Sequence, residues 1–384
     1  MQDILTILDR LCAFDTTSHK SNLECVDYCR HLLVSAGFDV TILPNADGTK
    51  ANLHAVAGPR DGPALVFAGH TDVVPVDGQN WSTDPFKLTQ RDGNLFARGT
   101  TDMKGFVAVA LSTVTNLDLH ALGLSLHHVL TYDEETGCFG ARDISDYLRS
   151  AVPAGSFCMV GEPTDLRPIV AHKGIIGLRA TVTGSEGHAA TIATKTNAIH
   201  FASDLVQYLL QQAQVYAAKP NKNDYVTPFS TIQIGLMNGG QARNMIAKQC
   251  DLEFEFRHLP DDLSVEFLED LEAFLSSDLR PRLIRNDELS SVHIKTMSHV
   301  PAFRASKNSP FLSALKANLG SVDIGFWDGV TEAGYYLDAG LDTIVCGPGT
   351  ISQAHQPNEC VSVSALNECK DLLRRLTSQL AAAS

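Results

Sequence analysis

The chain has 384 residues, 44% hydrophobic and 19% charged, with a formal net charge of −14. That is the composition of a folded globular protein with two domains, or one large domain carrying an insertion. The acidic balance and the lack of a dense Lys/Arg run exclude a nucleic-acid binder and argue against an anionic membrane surface as partner.

In chain order, the opening MQDILTILDRLCAFDTTS places Asp3, Asp9 and Arg10 among apolar residues, which predicts an amphipathic helix and no signal peptide. No uninterrupted apolar stretch approaches the ~20 residues that span a bilayer. The nine cysteines are scattered and odd in number, with Cys25 and Cys29 four apart on a predicted helix and no CxxC pair. Reduced, buried thiols in a cytoplasmic protein are the expectation.

Apolar runs of strand length follow at ALVFAG (64–69), LSLHHVLT (124–131), FCMV (157–160) and TIVCG (343–347). Helical patterns lie between several of them, one starting near Lys104 (KGFVAVALSTVTNL) and one near Ala141 (ARDISDYLRS). Strands alternating with helices predict a layered α/β domain with a parallel or mixed sheet, whose ligands sit beyond the carboxyl ends of the strands. Residues 177–298 read differently: strand GLRATVTG, helix over about 196–218, strands STIQIGL and CDLEFEFR, helix over about 264–279, strand SVHIKTM. That order is βαββαβ, the ferredoxin-like pattern. The predicted organisation is a catalytic domain in two pieces, 1–176 and 299–384, with an α+β domain inserted over 177–298. The AAAS tail reads as a frayed end.

Chemistry-bearing residues collect at the predicted strand ends. FAGHTDVVP supplies His70 and Asp72, which face the same way on a strand. RGTTDMKG supplies Asp102, LTYDEETG supplies Glu134 and Glu135 beside Asp133, MVGEPTD supplies Glu162, and ISQAHQPNE supplies His355. Singly, each has an ordinary reading: a structural histidine, an N-cap at Asp102, turn chemistry at Glu162 before Pro163, a solvated acidic turn at 133–135. Together, two histidines and several carboxylates suit a pair of divalent ions, Zn²⁺ first and Co²⁺ as a substitute. A bridging carboxylate can hold two ions about 3.5–4 Å apart. The adjacent glutamates then divide their work, Glu135 as ligand and Glu134 toward the water, and the positive charge offsets their repulsion.

The stretches GHTDVVPVDGQNWSTDPF, RGTTDMKGF, DEETGCFGA, GEPTDLRPIVAHKG, GSEGHAA, VTEAG and CGPGTISQAHQPNE together resemble the acetylornithine deacetylase family of co-catalytic zinc amidohydrolases. The resemblance spans nearly the whole chain. It implies that His70 and Glu162 bind one metal, Glu135 and His355 the other, and Asp102 bridges them. Asp72 would fix His70 from behind, and Glu134 would be the general base. It implies a cis Asp102–Met103 peptide. The inserted domain would be a lid that also makes a homodimer, with His188 of GSEGHAA reaching across to hold the oxyanion. The implied reaction is hydrolysis of N²-acetyl-L-ornithine to L-ornithine and acetate in arginine biosynthesis, without the covalent intermediate of a GxSxG enzyme. For the small N-acyl amino acid substrate, Arg243, Asn244 and Arg257 are candidates for its carboxylate, each equally readable as a solvated lid residue. Glu332 of VTEAG is a candidate for the distal ammonium or a helix start. The chain departs from its relatives at Ala189, Ala190 and Ile192, where Ser or Thr and then Pro are usual, and at Met245 after Asn244. These changes touch the lid side and leave the metal residues alone. Other readings are a desuccinylase, an N-acyl amino acid deacylase or a dipeptidase of the same family, and a catalytically silent scaffold.

Overall fold

The computed structural model describes residues 3–60, 62–115, 123–219, 224–285 and 287–382. It divides into two compact units: Met1–Val170 with Arg304–Gly325 and Thr331–Ser384, and Ala171–Phe303 with Phe326–Val330.

The first unit is built on a mixed sheet. In order across the sheet the strands are Asp39–Pro44, Ala51–Ala57, Ser125–Thr131, Ala64–His70, Phe157–Val160, Asp342–Val345, Ile169–His172 and Phe303–Arg304, with Gly325–Trp327 paired to Ile169–His172. Ala64–His70 runs parallel to both of its neighbours, Ser125–Thr131 and Phe157–Val160. Asp39–Pro44 and Ala51–Ala57 are antiparallel additions at one edge. Ala51–Ala57, Ala64–His70 and Ser125–Thr131 are buried at every residue. Continuous apolar runs are what strands covered on both faces require.

Helix Lys104–Val114 covers strand Ala64–His70. Every one of its residues is buried, and it packs against strand Ala64–His70 and helices Ile4–Ala13 and Val363–Ala381. Its Phe106 ring occupies the space where a Cβ on Gly161 would lie, 1.9 Å from the ring. The predicted continuation of this helix over 116–117 lies outside the described residues, as does the end of the AAAS tail at 383–384. The amphipathic reading of the N-terminus is met by helix Ile4–Ala13, which Asp3 caps through the Thr6 amide at 2.8 Å. All nine cysteines are free thiols. Among the described residues no helix is long and apolar enough to cross a membrane.

The second unit carries a separate antiparallel sheet, ordered Thr231–Gly239, Gln249–His258, Gly174–Thr183, Ser291–Val300. With helices Ala198–Ala217 and Ser264–Phe274 between strands, this is the ferredoxin-like βαββαβ arrangement. Gln249–His258 alternates buried and partly exposed residues, so one face is apolar. Ile176, Leu178, Leu252, Phe254 and Phe256 from that face pack with Ala202, Leu205, Leu209, Phe267 and Leu271 from the helices. The second helix continues through a wider π turn, Leu275–Leu279, into Arg280–Leu283.

Where the chain leaves and rejoins the first unit, the Ala305 amide donates to the Val170 carbonyl at 2.8 Å.

Candidate metal centre

The parallel strands deliver their carboxyl ends to one place. His70 ends strand Ala64–His70, the acids 133–135 follow strand Ser125–Thr131, and Glu162 follows strand Phe157–Val160 after Gly161. Asp102 precedes helix Lys104–Val114, and its peptide to Met103 is cis. His355 lies in the loop after strand Asp342–Val345, with a left-handed φ of 62°.

Two groups of ligand-type atoms result, His70/Asp102/Glu162 and Asp102/Glu135/His355, each with all its atoms within 4.8 Å of one another. Asp102 belongs to both. His70 Nε2 is 3.1 Å from Asp102 Oδ1 and 3.9 Å from Glu162 Oε1. His355 Nε2 is 2.9 Å from Glu135 Oε2 and 3.4 Å from Asp102 Oδ2.

Asp72 braces this arrangement. His70 Nδ1 lies 3.0 Å from the Asp72 carbonyl and 3.5 Å from its Oδ1, which leaves Nε2 facing the carboxylates. The same carboxylate accepts from the Glu134 amide at 3.1 Å, the Glu135 amide at 3.3 Å and the Ser18 hydroxyl at 2.7 Å. Asp133, the third acid of the run, takes a different course and pairs with Lys50.

The electrostatics are those of a site short of positive charge. Burial, then the charges of Asp102 and its neighbours, push Glu135 up to about 7. Burial raises Glu134 and Glu162 well above the carboxylate range, with neighbouring acids adding to it. Burial opposes charge on His70, yet its bonds to Asp102 and Asp72 lift it well above the usual imidazole value. Asp102 and Glu135 lift His355 to about 10. Two buried carboxylate oxygens, Glu135 Oε1 and Glu162 Oε1, have no hydrogen-bond partner. An unpaired buried carboxylate oxygen is costly, and each of these sits in one of the two groups. A hard or borderline dication bound by oxygen and imidazole meets that need, so the residues present fit a metal pair.

Glu332 is fully buried and accepts from Tyr336 Oη at 3.0 Å. Burial raises it to about 7. It stands at the N-cap of helix Ala333–Asp338 without capping it.

The remaining candidates are in the second unit. His188 forms a short antiparallel pair with Met245, and the Ala189 amide donates to the Asn244 carbonyl at 3.0 Å, so His188 and the exposed Arg243–Asn244 turn are neighbours. Arg257 is not with them. It pairs across to Thr231 while Gly239 pairs with Cys250, which separates it from that turn by about 23 Å along the strand. Its guanidinium is engaged by Glu255 at 2.6 Å. Within one chain, Arg257 and Arg243 cannot share one carboxylate.

Sequence reasoning passed over Glu359, Arg98 and Gln79, although all three stand inside the quoted stretches. Glu359 is buried and accepts the amides of Gly99, Thr101 and Asp102 at 3.0, 2.8 and 3.0 Å. Its place four residues after His355 was the available signal.

This combination of a mixed α/β unit and a ferredoxin-like unit has known counterparts. Residues 66–379 match the profile of peptidase family M20/M25/M40, and the chain belongs to that family of metal-dependent hydrolases. It is 32% identical over 99% of its length, and 97% of the other chain, to the acetylornithine deacetylase of Pasteurella multocida (strain Pm70). It is 31% identical to that of Proteus mirabilis (strain HI4320), over 95% of this chain and 92% of the other. Its fold is similar to an M20 metallo-carboxypeptidase, Sso-CP2, of Sulfolobus solfataricus (TM-score 0.78, 15% identity, all of both chains). A tripeptidase of Staphylococcus aureus is also similar in fold (TM-score 0.75, 20% identity, 99% of this chain and 98% of the other).

Proposed function

We propose that the chain hydrolyses N²-acetyl-L-ornithine to L-ornithine and acetate, a step of arginine biosynthesis, in the cytoplasm. The observation that carries this is the pair of His/carboxylate groups sharing Asp102, with Glu134 alongside, in a chain 32% identical over 99% of its length to a protein named acetylornithine deacetylase.

His70, Asp102 and Glu162 would hold one divalent ion and Asp102, Glu135 and His355 the second, zinc in the first instance. When bound, the pair supplies Lewis acidity toward the amide carbonyl and eases deprotonation of water. Glu134 is the general base: its carboxylate takes the proton from the attacking water and delivers it to the leaving nitrogen. Burial that raises its proton affinity suits both halves of that task. Asp72 holds Glu134 and Glu135 through their amides and His70 through its ring. The inserted unit acts as lid and dimerisation domain, and His188 of the partner subunit would steady the oxyanion. Arg243 and Asn244 would meet the substrate carboxylate. Arg257, remote from that turn and bound to Glu255, is left out of this proposal, and Glu332 enters it as a buried acid rather than a surface contact.

The test is ornithine release from N²-acetylornithine by chelator-stripped protein reloaded with Zn²⁺ or Co²⁺, beside Glu134→Ala. Metal-dependent turnover that Glu134→Ala abolishes is expected. Metal binding without turnover would refute this substrate and turn attention to succinyl and dipeptide amides. Failure to bind metal would refute the site.

A further inference from the structure

Two loops flank the centre in the first unit, and the hydrogen bonds between them form one continuous path. Glu359 and Arg98 are each 1% exposed, and Arg98 Nη1 donates to Glu359 Oε2 at 2.7 Å. Glu359 Oε1 takes the amides of Thr101 and Asp102, and Oε2 takes that of Gly99 together with Arg98. Both oxygens are doubly engaged, so this carboxylate has no lone pair left for a cation. It shapes the loop that carries Asp102.

The path continues outward. Arg98 Nη2 donates to Gln79 Oε1 at 2.6 Å, and Nη1 reaches the Gln356 carbonyl at 3.3 Å. Gln79 Nε2 donates to the His355 carbonyl at 2.9 Å. Trp81 Nε1 donates to Gln79 Oε1 at 3.1 Å and holds that amide's orientation. Asn358 Oδ1 accepts from the amide and hydroxyl of Ser82, both at 2.7 Å, and closes the second seam between the loops.

His355 needs such support. Its side chain is 53% exposed, against 8% or less for Asp102, Glu135 and Glu162, and its backbone is left-handed, which side chains other than glycine adopt at a cost. Its ring otherwise meets only carboxylates among the described contacts.

Resting on the metal-site reading above, we infer that Gln79, Arg98 and Glu359 are positioning residues that set His355 against Asp102, and so govern the Asp102/Glu135/His355 group in particular. Asp102 is gripped at one end of the path through its amide. His355 is gripped at the other through its carbonyl. Gln79 is the joint between them: one amide oxygen receives Arg98 and Trp81, and one amide nitrogen gives to His355.

That division of labour makes Gln79→Glu a selective cut. It keeps an acceptor for Arg98 and Trp81, removes the donor, and sets a carboxylate oxygen against the His355 carbonyl. Gln79 is only half-buried, so folding should survive. Co²⁺ would be titrated into chelator-stripped parent, Gln79→Glu and Gln79→Ala, with metal per chain counted by equilibrium dialysis and the visible absorption recorded. The melting temperature of each metal-free protein would be measured alongside. The expected result is two equivalents for the parent. In both variants one equivalent keeps its affinity and the other weakens by roughly 10–100-fold, the usual effect of losing a bond behind a ligand. The metal-free melting temperatures of the parent and Gln79→Glu stay together. Parental affinity for both equivalents in both variants would overturn the inference and leave the site intact. So would equal weakening of both with a fall in the metal-free melting temperature, which would mark a merely structural role. A parent that takes up no metal would remove the site reading and this inference with it.

Discussion

Three histidines inside the first unit make a pH response that can be worked through. His54 Nε2 lies 2.8 Å from His127 Nδ1, His54 Nδ1 is 3.1 Å from Tyr147 Oη, and His127 Nε2 is 3.0 Å from Ser125 Oγ. His128 faces the opposite side of its strand, between the rings of Phe38 and Phe67, and its Nε2 has no partner. Burial lowers His54 to about 4 and His127 and His128 to about 3. The unfolded chain protonates these rings below about pH 6.5 while the folded chain keeps them neutral. The unfolded state therefore binds more protons between about pH 6.5 and the folded values, and stability falls as the pH drops through that window. From pH 7 to pH 5 the loss is about 2 kcal/mol for each ring, and about 6 kcal/mol for three independent rings. The hydrogen bond between His54 and His127 makes the sum a ceiling. His128→Phe isolates one ring, suits its aromatic surroundings, and should shrink the pH 7 to pH 5 loss by about 2 kcal/mol. The assay is hydrogen exchange of strand Ser125–Thr131 in chelator-treated protein at the two pH values, with parent and variant compared so that the metal-site acids cancel. An equal loss in both proteins would refute the reasoning.

Glu134→Gln should retain its metal content yet lower kcat by about 10²–10⁴, the usual contribution of a positioned general base; metal analysis and turnover on acetylornithine check both halves. Gly161→Ala puts a carbon 1.9 Å from the Phe106 ring, so a loss on the order of 1–3 kcal/mol is expected, read as a lower melting temperature. Arg243→Ala should raise KM for acetylornithine, whereas Arg257→Ala, which breaks only a bond to Glu255, should leave KM and kcat near the parental values. The reverse pattern would exchange the two arginines' roles.

The catalytic half was legible because its chemistry follows the strands. Short apolar runs such as ALVFAG at 64–69 read as buried strands when bounded by turn residues, and polar residues at or just beyond their ends, His70, Glu134 and Glu162, fall at one edge of a parallel sheet. The inserted unit was legible from alternation in Gln249–His258 and its order of elements. The antiparallel pair at the sheet edge was missed for a physical reason. Asp39–Pro44 is largely exposed, and Asn52 and His54 interrupt the apolar pattern of Ala51–Ala57, so neither segment reads as core. Glu359 escaped because its partners at 98–102 lie about 260 positions away, and no local spacing reports a bond of that kind. Arg257 was read from its residue type alone; its pairing with Glu255, on the same strand face, is a neighbour that reading did not weigh.

The hydrogen bond between Val170 and Ala305 carries a consequence for how such proteins diversify. The long excursion into the second unit, Ala171–Phe303, departs and returns beside this bond, and a short second excursion, Phe326–Val330, completes that unit. None of the bonds that seat His70, Asp102, Glu135 or His355 involves either excursion. Exchange of these two intervals between relatives would leave every one of those bonds in place, so recombination is a route by which the second unit could change while the first is inherited as it stands.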